Sequence, residues 1–153
     1  MMQSVPNSWI NWLKIICGVF ILYGLALVFL PEQIQDVQGA IYYNWPLDED
    51  VFSQVTAIDR NYFMLLYGII GGVLIGWAVL IYAMVNGPLR YGQRWAWQAL
   101  IASLSAWFVT DTLISGATGY SINVLFNVVS AVAFAVPLFA IRRYMTTDNT
   151  ATQ

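Results

Sequence analysis

Apolar residues along this chain fall into four long runs, separated by short polar stretches and one long acidic one. The runs cover residues 9–30, 62–85, 95–115 and 121–141. A helix needs about 20 predominantly apolar residues to cross hydrocarbon, and each run meets that length. Pro31 ends the first run, and Lys14 interrupts it one turn inside its end, where a lysine can snorkel to the headgroups. That run is too long for the apolar region of a cleaved signal, and no small-residue cleavage pattern follows, so it reads as a span. Asn86-Gly87-Pro88 breaks the second run, and Gly116-Ala117-Thr118-Gly119 makes a tight uncharged turn between the third and fourth. Pro137 marks a bend near the end of the fourth. The pattern predicts one all-α membrane domain over residues 1–145, an integral four-helix bundle running up-down-up-down. Residues 146–153 read as a disordered tail.

Residues 31–61 form the one long connection. It is acidic and aromatic, and Tyr42, Tyr43 and Trp45 suit a membrane interface. Pro46-Leu47-Asp48 reads as a turn followed by a helix N-cap, with Glu49 and Asp50 at the positive end of the helix dipole. Val51, Val55, Ile58 and Tyr62 then recur at helical spacing, so a helical extension of the second span is expected from near Glu49. Asp48-Glu49-Asp50 also has the oxygen ligands of a hard-cation site, but no further ligands follow at fixed spacing.

Composition agrees with the pattern. Of 153 residues 59% are hydrophobic and 9% charged, against about 25% charged in a soluble domain. The five cations Lys14, Arg90, Arg94, Arg142 and Arg143 mark one end of the runs. Glu32, Asp36, Asp48, Glu49, Asp50 and Asp59 mark the other. Basic residues of short loops stay cytoplasmic, so both termini are expected inside a bacterial cytoplasmic membrane. Trp9, Trp12, Trp95, Trp97 and Tyr144 supply an aromatic belt at the basic end. The chain has no histidine, which removes imidazole-ligated haem, histidine-based zinc sites and Ser-His dyads. An intramembrane aspartic protease needs two close carboxylates, and only Asp111 lies within a run. Cys17 has no second cysteine to pair with and reads as a small packing residue. The net charge of −2 and the absence of a basic stripe argue against nucleic acid as a partner.

Gly68, Gly72 and Gly76 recur every four residues in the second span, with Gly71 beside them. Small residues let helix backbones approach in lipid, so this ladder reads as a packing seam, within the bundle or between copies of the chain. Gly18 and Gly24 make the first span its natural partner. Leu22-Tyr23-Gly24 and Leu66-Tyr67-Gly68 place two tyrosines in the acidic-side half. Asp111 shares a helical row with Ser103, Trp107 and Ser115, and Asn123, Asn127 and Ser130 share another. Arg60 stands alone among the acids, where it has Asp111 or the neighbouring Asp59 as possible partners. Two readings of Arg60, Asp111, Asn123, Asn127, Ser115, Tyr23 and Tyr67 follow. They form a satisfied network that pins the helices, or they line an outward pocket for a small polar ligand, a lipid or quinone headgroup, or a proton.

Tyr67-Gly68 with Gly72 and Gly76-Trp77, then Gly87-Pro88-Leu89-Arg90, Arg94-Trp95-Ala96-Trp97, Trp107-Phe108-Val109-Thr110-Asp111 and the Asn123/Asn127 pair together resemble small four-helix bacterial membrane proteins, DoxX-like in architecture. The resemblance implies the architecture and an accessory place near quinone redox chemistry; no residue pattern here carries that chemistry over. The expectation is a non-catalytic accessory or structural membrane protein without a cofactor, in contact with lipid and with other membrane subunits or itself. The orientation has a direct test in a Cys17→Ala background. Thr118→Cys is expected to react with an impermeant maleimide in intact cells, and Thr147→Cys only after permeabilisation. Labelling of both from one side would remove the orientation.

Overall fold

The computed structural model describes residues 5–43 and 57–145. Among these the chain is all-α, with α1 (Asn7–Phe29), α2 (Pro31–Tyr43), α3 (Ala57–Met84), α4 (Arg94–Ala117) and α5 (Ser121–Ile141). A π turn, Val85–Leu89, prolongs α3, and a 3-10 turn, Arg142–Tyr144, closes α5. Four stretches are long and apolar enough to cross a membrane: Asn7–Phe29, Arg60–Leu89, Arg94–Ala117 and Ser121–Tyr144. Only 17–28% of the apolar window in each is buried within the protein. That much apolar surface, on helices whose backbones are internally hydrogen-bonded, requires hydrocarbon around it. The chain is a multi-pass integral membrane protein. The expected helix start near Glu49, Trp45, the Asp48-Glu49-Asp50 turn and the 146–153 tail lie outside the described residues.

The chain divides into two compact units, Met1–Cys17 with Leu80–Gln153, and Gly18–Val79. The first is built on α4 and α5. Trp97 Nε1 donates to the Leu138 carbonyl at 2.8 Å and Asn123 Nδ2 to Ser115 Oγ at 2.7 Å. Pairs that converge along the sequence in this way make the two helices antiparallel. The expected tight turn between them is a Schellman cap: Tyr120 N bonds Ser115 O at 2.8 Å and Gly119 N bonds Gly116 O at 3.3 Å, with Gly119 at φ +82°. Ile10, Leu13 and Cys17 of α1 are buried in this unit, as are Leu89, Leu100, Phe134, Leu138 and Ile141. Trp12 Nε1 joins α1 to α5 through the Ala133 carbonyl at 3.2 Å. At the expected break Gly87 leaves helical geometry and Pro88 has no amide to donate. Asn86 beside it accepts a 2.6 Å bond from Lys14 Nζ, which also lies over the Tyr82 ring. Lys14, expected to snorkel, is thus held by the protein.

The second unit holds the rest of α1, α2 and most of α3. Phe20 meets Trp77 edge-on and Gly24 meets Gly71, so α1 and α3 cross antiparallel. A Cβ on Gly71 would lie 2.6 Å from Gly24 O, and one on Gly24 2.7 Å from Ile75 Cγ1. Gly24 and Gly71 thus mark a close approach of the two helices. A Cβ on Gly68, Gly72 or Gly76 would meet nothing within 4 Å. Those three do not pack α1 because they occupy another side of a helix that is apolar all round.

The region read as a connection contains α2. Pro31 stops the first span and, one residue after the non-helical Leu30, opens the next helix, a position that suits proline because the N1 amide has no intrahelical partner. Glu32 pairs with Arg60, and Gln38 bonds both Tyr23 and Tyr67. Advancing six residues along α2 therefore advances seven along α3 and moves back along α1. Helix α2 doubles back beside α1. Glu32, Gln35, Asp36 and Gln38 are at least half-buried, whereas Val37 and Ile41 are 48% and 47% exposed. Gln33 shares the outward row of Val37 and Ile41, and Ile34 lies inward with Gln35, Asp36 and Gln38, so four of the inward side chains are polar and two of the outward ones apolar.

The glycines yield a stability prediction. Gly24→Ala or Gly71→Ala is expected to destabilise the protein by about 1–3 kcal/mol through overpacking. Gly68→Ala, Gly72→Ala and Gly76→Ala should be neutral or stabilise by up to about 1 kcal/mol. Thermal unfolding in mild detergent separates the two groups.

Candidate functional site

The polar residues singled out from the sequence fall into clusters within each unit. In the first unit Asp111 lies six residues before the end of α4, roughly 9 Å along the helix. One of its oxygens, Oδ1, accepts from Ser115 Oγ at 3.3 Å and from Asn123 Nδ2 at 3.2 Å. Asn123 Nδ2 also reaches Ser115 Oγ at 2.7 Å, which closes a triangle. The helical row that puts Asp111 and Ser115 on one face, and the cap that turns the chain back after Ala117, bring Asn123 opposite both. One turn deeper, Asn127 Nδ2 donates to Thr112 Oγ1 at 3.4 Å. Ser115 and Asn127 are 5% and 4% exposed, and Asp111, Thr112 and Asn123 are partly exposed. These bonds join α4 to α5.

In the second unit the amide of Gln38 lies between the two tyrosines. Its Nε2 donates to Tyr23 OH at 2.9 Å, and its Oε1 accepts from Tyr67 OH at 2.7 Å. Both ends of one amide are used, the nitrogen toward Tyr23 and the oxygen toward Tyr67. Arg60, at the start of the α3 span, pairs with Glu32 in the first turn of α2. Glu32 is a partner that the sequence reading did not weigh for Arg60, since it considered only Asp111 and Asp59. Glu32 and Gln38 are not legible as partners because the segment holding them reads as a connection. The signal was Pro31 followed by Ile34, Val37 and Ile41 at helical spacing. Beside this cluster, Gln35 Oε1 and Asp36 Oδ1 are buried and have no hydrogen-bond partner.

The chemistry of these layers is hydrogen bonding and charge pairing. Among the described residues no three acidic, cysteine or histidine side chains come together. Two cavities, of about 270 and 260 Å³, are bordered by neither Asp111 nor Asn127.

No family model matches this chain, and no curated protein and no solved structure matches it either. The DoxX-like resemblance therefore gains no support, and what stands is a helical protein with four candidate spans.

The tyrosine bridge is open to a double-mutant cycle. Interhelical hydrogen bonds in membranes average about 0.6 kcal/mol, so Tyr23→Phe and Tyr67→Phe should each cost about that much. Because Tyr23 acts through the Gln38 amide, the effect of Tyr23→Phe in a Gln38→Leu background should vanish. Unfolding of the four variants by denaturant in mild detergent checks this.

Proposed function

We propose that this is a non-catalytic accessory or structural protein of a bacterial cytoplasmic membrane, with both termini cytoplasmic. The observation that carries the proposal is the use made of Asp111. An acid within a span is costly on insertion scales, about 2.5–3.5 kcal/mol at the centre and less near an interface. Its Oδ1 is taken up by Ser115 and Asn123, an arrangement that joins two helices and leaves no activated nucleophile. The charge partition supports the orientation, since five of the six cations sit at one end. Open space beside Gly68, Gly72 and Gly76 supports association with another membrane helix, a further subunit or a second copy.

A second reading keeps an outward site for a small polar ligand, a lipid or quinone headgroup, or a proton around Asp111. It rests on the partial exposure of Asp111, Thr112 and Asn123. One substitution separates the two. In the structural reading Asp111→Asn lowers stability by about 0.6–1.7 kcal/mol, the range of interhelical bonds in membranes. The set of proteins co-purifying in mild detergent then stays the same. Unchanged stability together with a lost proton or ligand response in liposomes would sink the structural reading and favour the second.

A further inference from the structure

Two cavities open beside the first turns of α1, both within the first unit. One, of about 270 Å³, is bordered by Asn7, Arg90 and Tyr91. The other, of about 260 Å³, is bordered by Asn11, Trp12 and Ile15, and its wall is almost wholly apolar. Asn7, Asn11 and Ile15 are spaced by four, so they form one row along α1. That row leads from the polar cavity into the apolar groove.

The cations at this end have different surroundings. Lys14 bonds Asn86, Arg142 lies over the Trp97 ring and Arg143 over the Tyr144 ring. Among the described residues Arg90 makes one long hydrogen bond, 3.5 Å to Asn7 Oδ1, and it borders the polar cavity. Among the described residues no acid borders that cavity. The positive end of the α1 dipole lies beside Asn7 and adds positive potential there. Tyr91, 71% exposed, and Trp12 are aromatic residues of the kind that sit at headgroup level.

We infer that this end of α1 binds a glycerophospholipid with an anionic phosphodiester headgroup. Its phosphate lies against Arg90, whose planar fork matches phosphate oxygens. One acyl chain follows the groove past Asn11, Trp12 and Ile15. A zwitterionic lipid would bring an ammonium group into a cavity bordered, among the described residues, by a cation and no carboxylate, so the anionic class is favoured. Free phosphate shares the headgroup chemistry but leaves the groove unused.

Native mass spectrometry of the full chain in mild detergent tests this, with phosphatidylglycerol and phosphatidylcholine of equal chain length as probes. Loss of one charge-assisted bond corresponds to about tenfold in affinity. Phosphatidylglycerol should be retained about tenfold more tightly than phosphatidylcholine, and Arg90→Gln should abolish that preference. Arg143→Gln, which removes a cation outside the cavity, should keep it. Ile15→Trp, which fills the groove, should weaken phosphatidylglycerol retention, and it carries the test if Arg90→Gln does not accumulate. Equal retention of both lipids would overturn the inference, as would equal losses in Arg90→Gln and Arg143→Gln, or no effect of Ile15→Trp. Displacement of phosphatidylglycerol by millimolar inorganic phosphate would assign the cavity to free phosphate and overturn the lipid reading.

Discussion

In hydrocarbon an unpaired backbone amide or buried polar side chain costs several kcal/mol, because no water is present to take its place. Much of this structure follows from that cost. The helices bond their own backbones, and where the ladder must end the chain supplies a device. Gly119 closes α4 through a Schellman cap, and a π turn carries the end of α3 past Gly87 and Pro88. Polar side chains within the apolar helices are joined to one another: Asp111 to Ser115 and Asn123, Tyr23 and Tyr67 to the amide of Gln38. Helix α2 brings Glu32 to Arg60 and Gln38 to both tyrosines, and it leaves Gln35 Oε1 and Asp36 Oδ1 buried without a hydrogen-bond partner.

The four spans were legible because length and apolar content are one-dimensional properties. Residues 95–115 and 121–141 differ from the observed α4 and α5 by two residues or fewer at each end. Turn chemistry was legible too, since Asn86-Gly87-Pro88 and Gly116-Ala117-Thr118-Gly119 have few structural uses. The rotational phase of each span was not. A helix apolar on every side carries no amphipathic signal, so its sequence does not say which glycine meets its neighbour. Gly71 was noticed only as an addition to a ladder whose other members face open space.

The polar residues were legible as types and not as pairings. Asp111 with Ser115, and Asn123 with Asn127, follow from helical spacing; that the two rows meet depends on the antiparallel return after Gly119. Tyr23 and Tyr67 fall at similar depths by counting, yet the residue that joins them lies on a helix that Pro31 concealed. Proline reads as a stop, and the same ring can begin a helix one residue later. The isolated basic residue, Arg60, has a plain explanation once α2 exists: it holds Glu32 and ties the first turn of α2 to the start of the α3 span. Electrostatics at this end thus serves the fold, whereas at the basic end Arg90 borders a cavity.

The orientation of α2 is the point on which the account turns, and it can be measured directly. Nitroxide labels placed singly at residues 33–41 in liposomes report accessibility to oxygen, which partitions into lipid, and to a water-soluble relaxant. Labels at Val37 and Ile41 should be relaxed mainly by oxygen, and labels at Gln35 and Gln38 by neither agent. If Val37 and Ile41 are relaxed mainly by the water-soluble agent, α2 lies on the aqueous surface, and the inward polar layer that it is said to build does not exist.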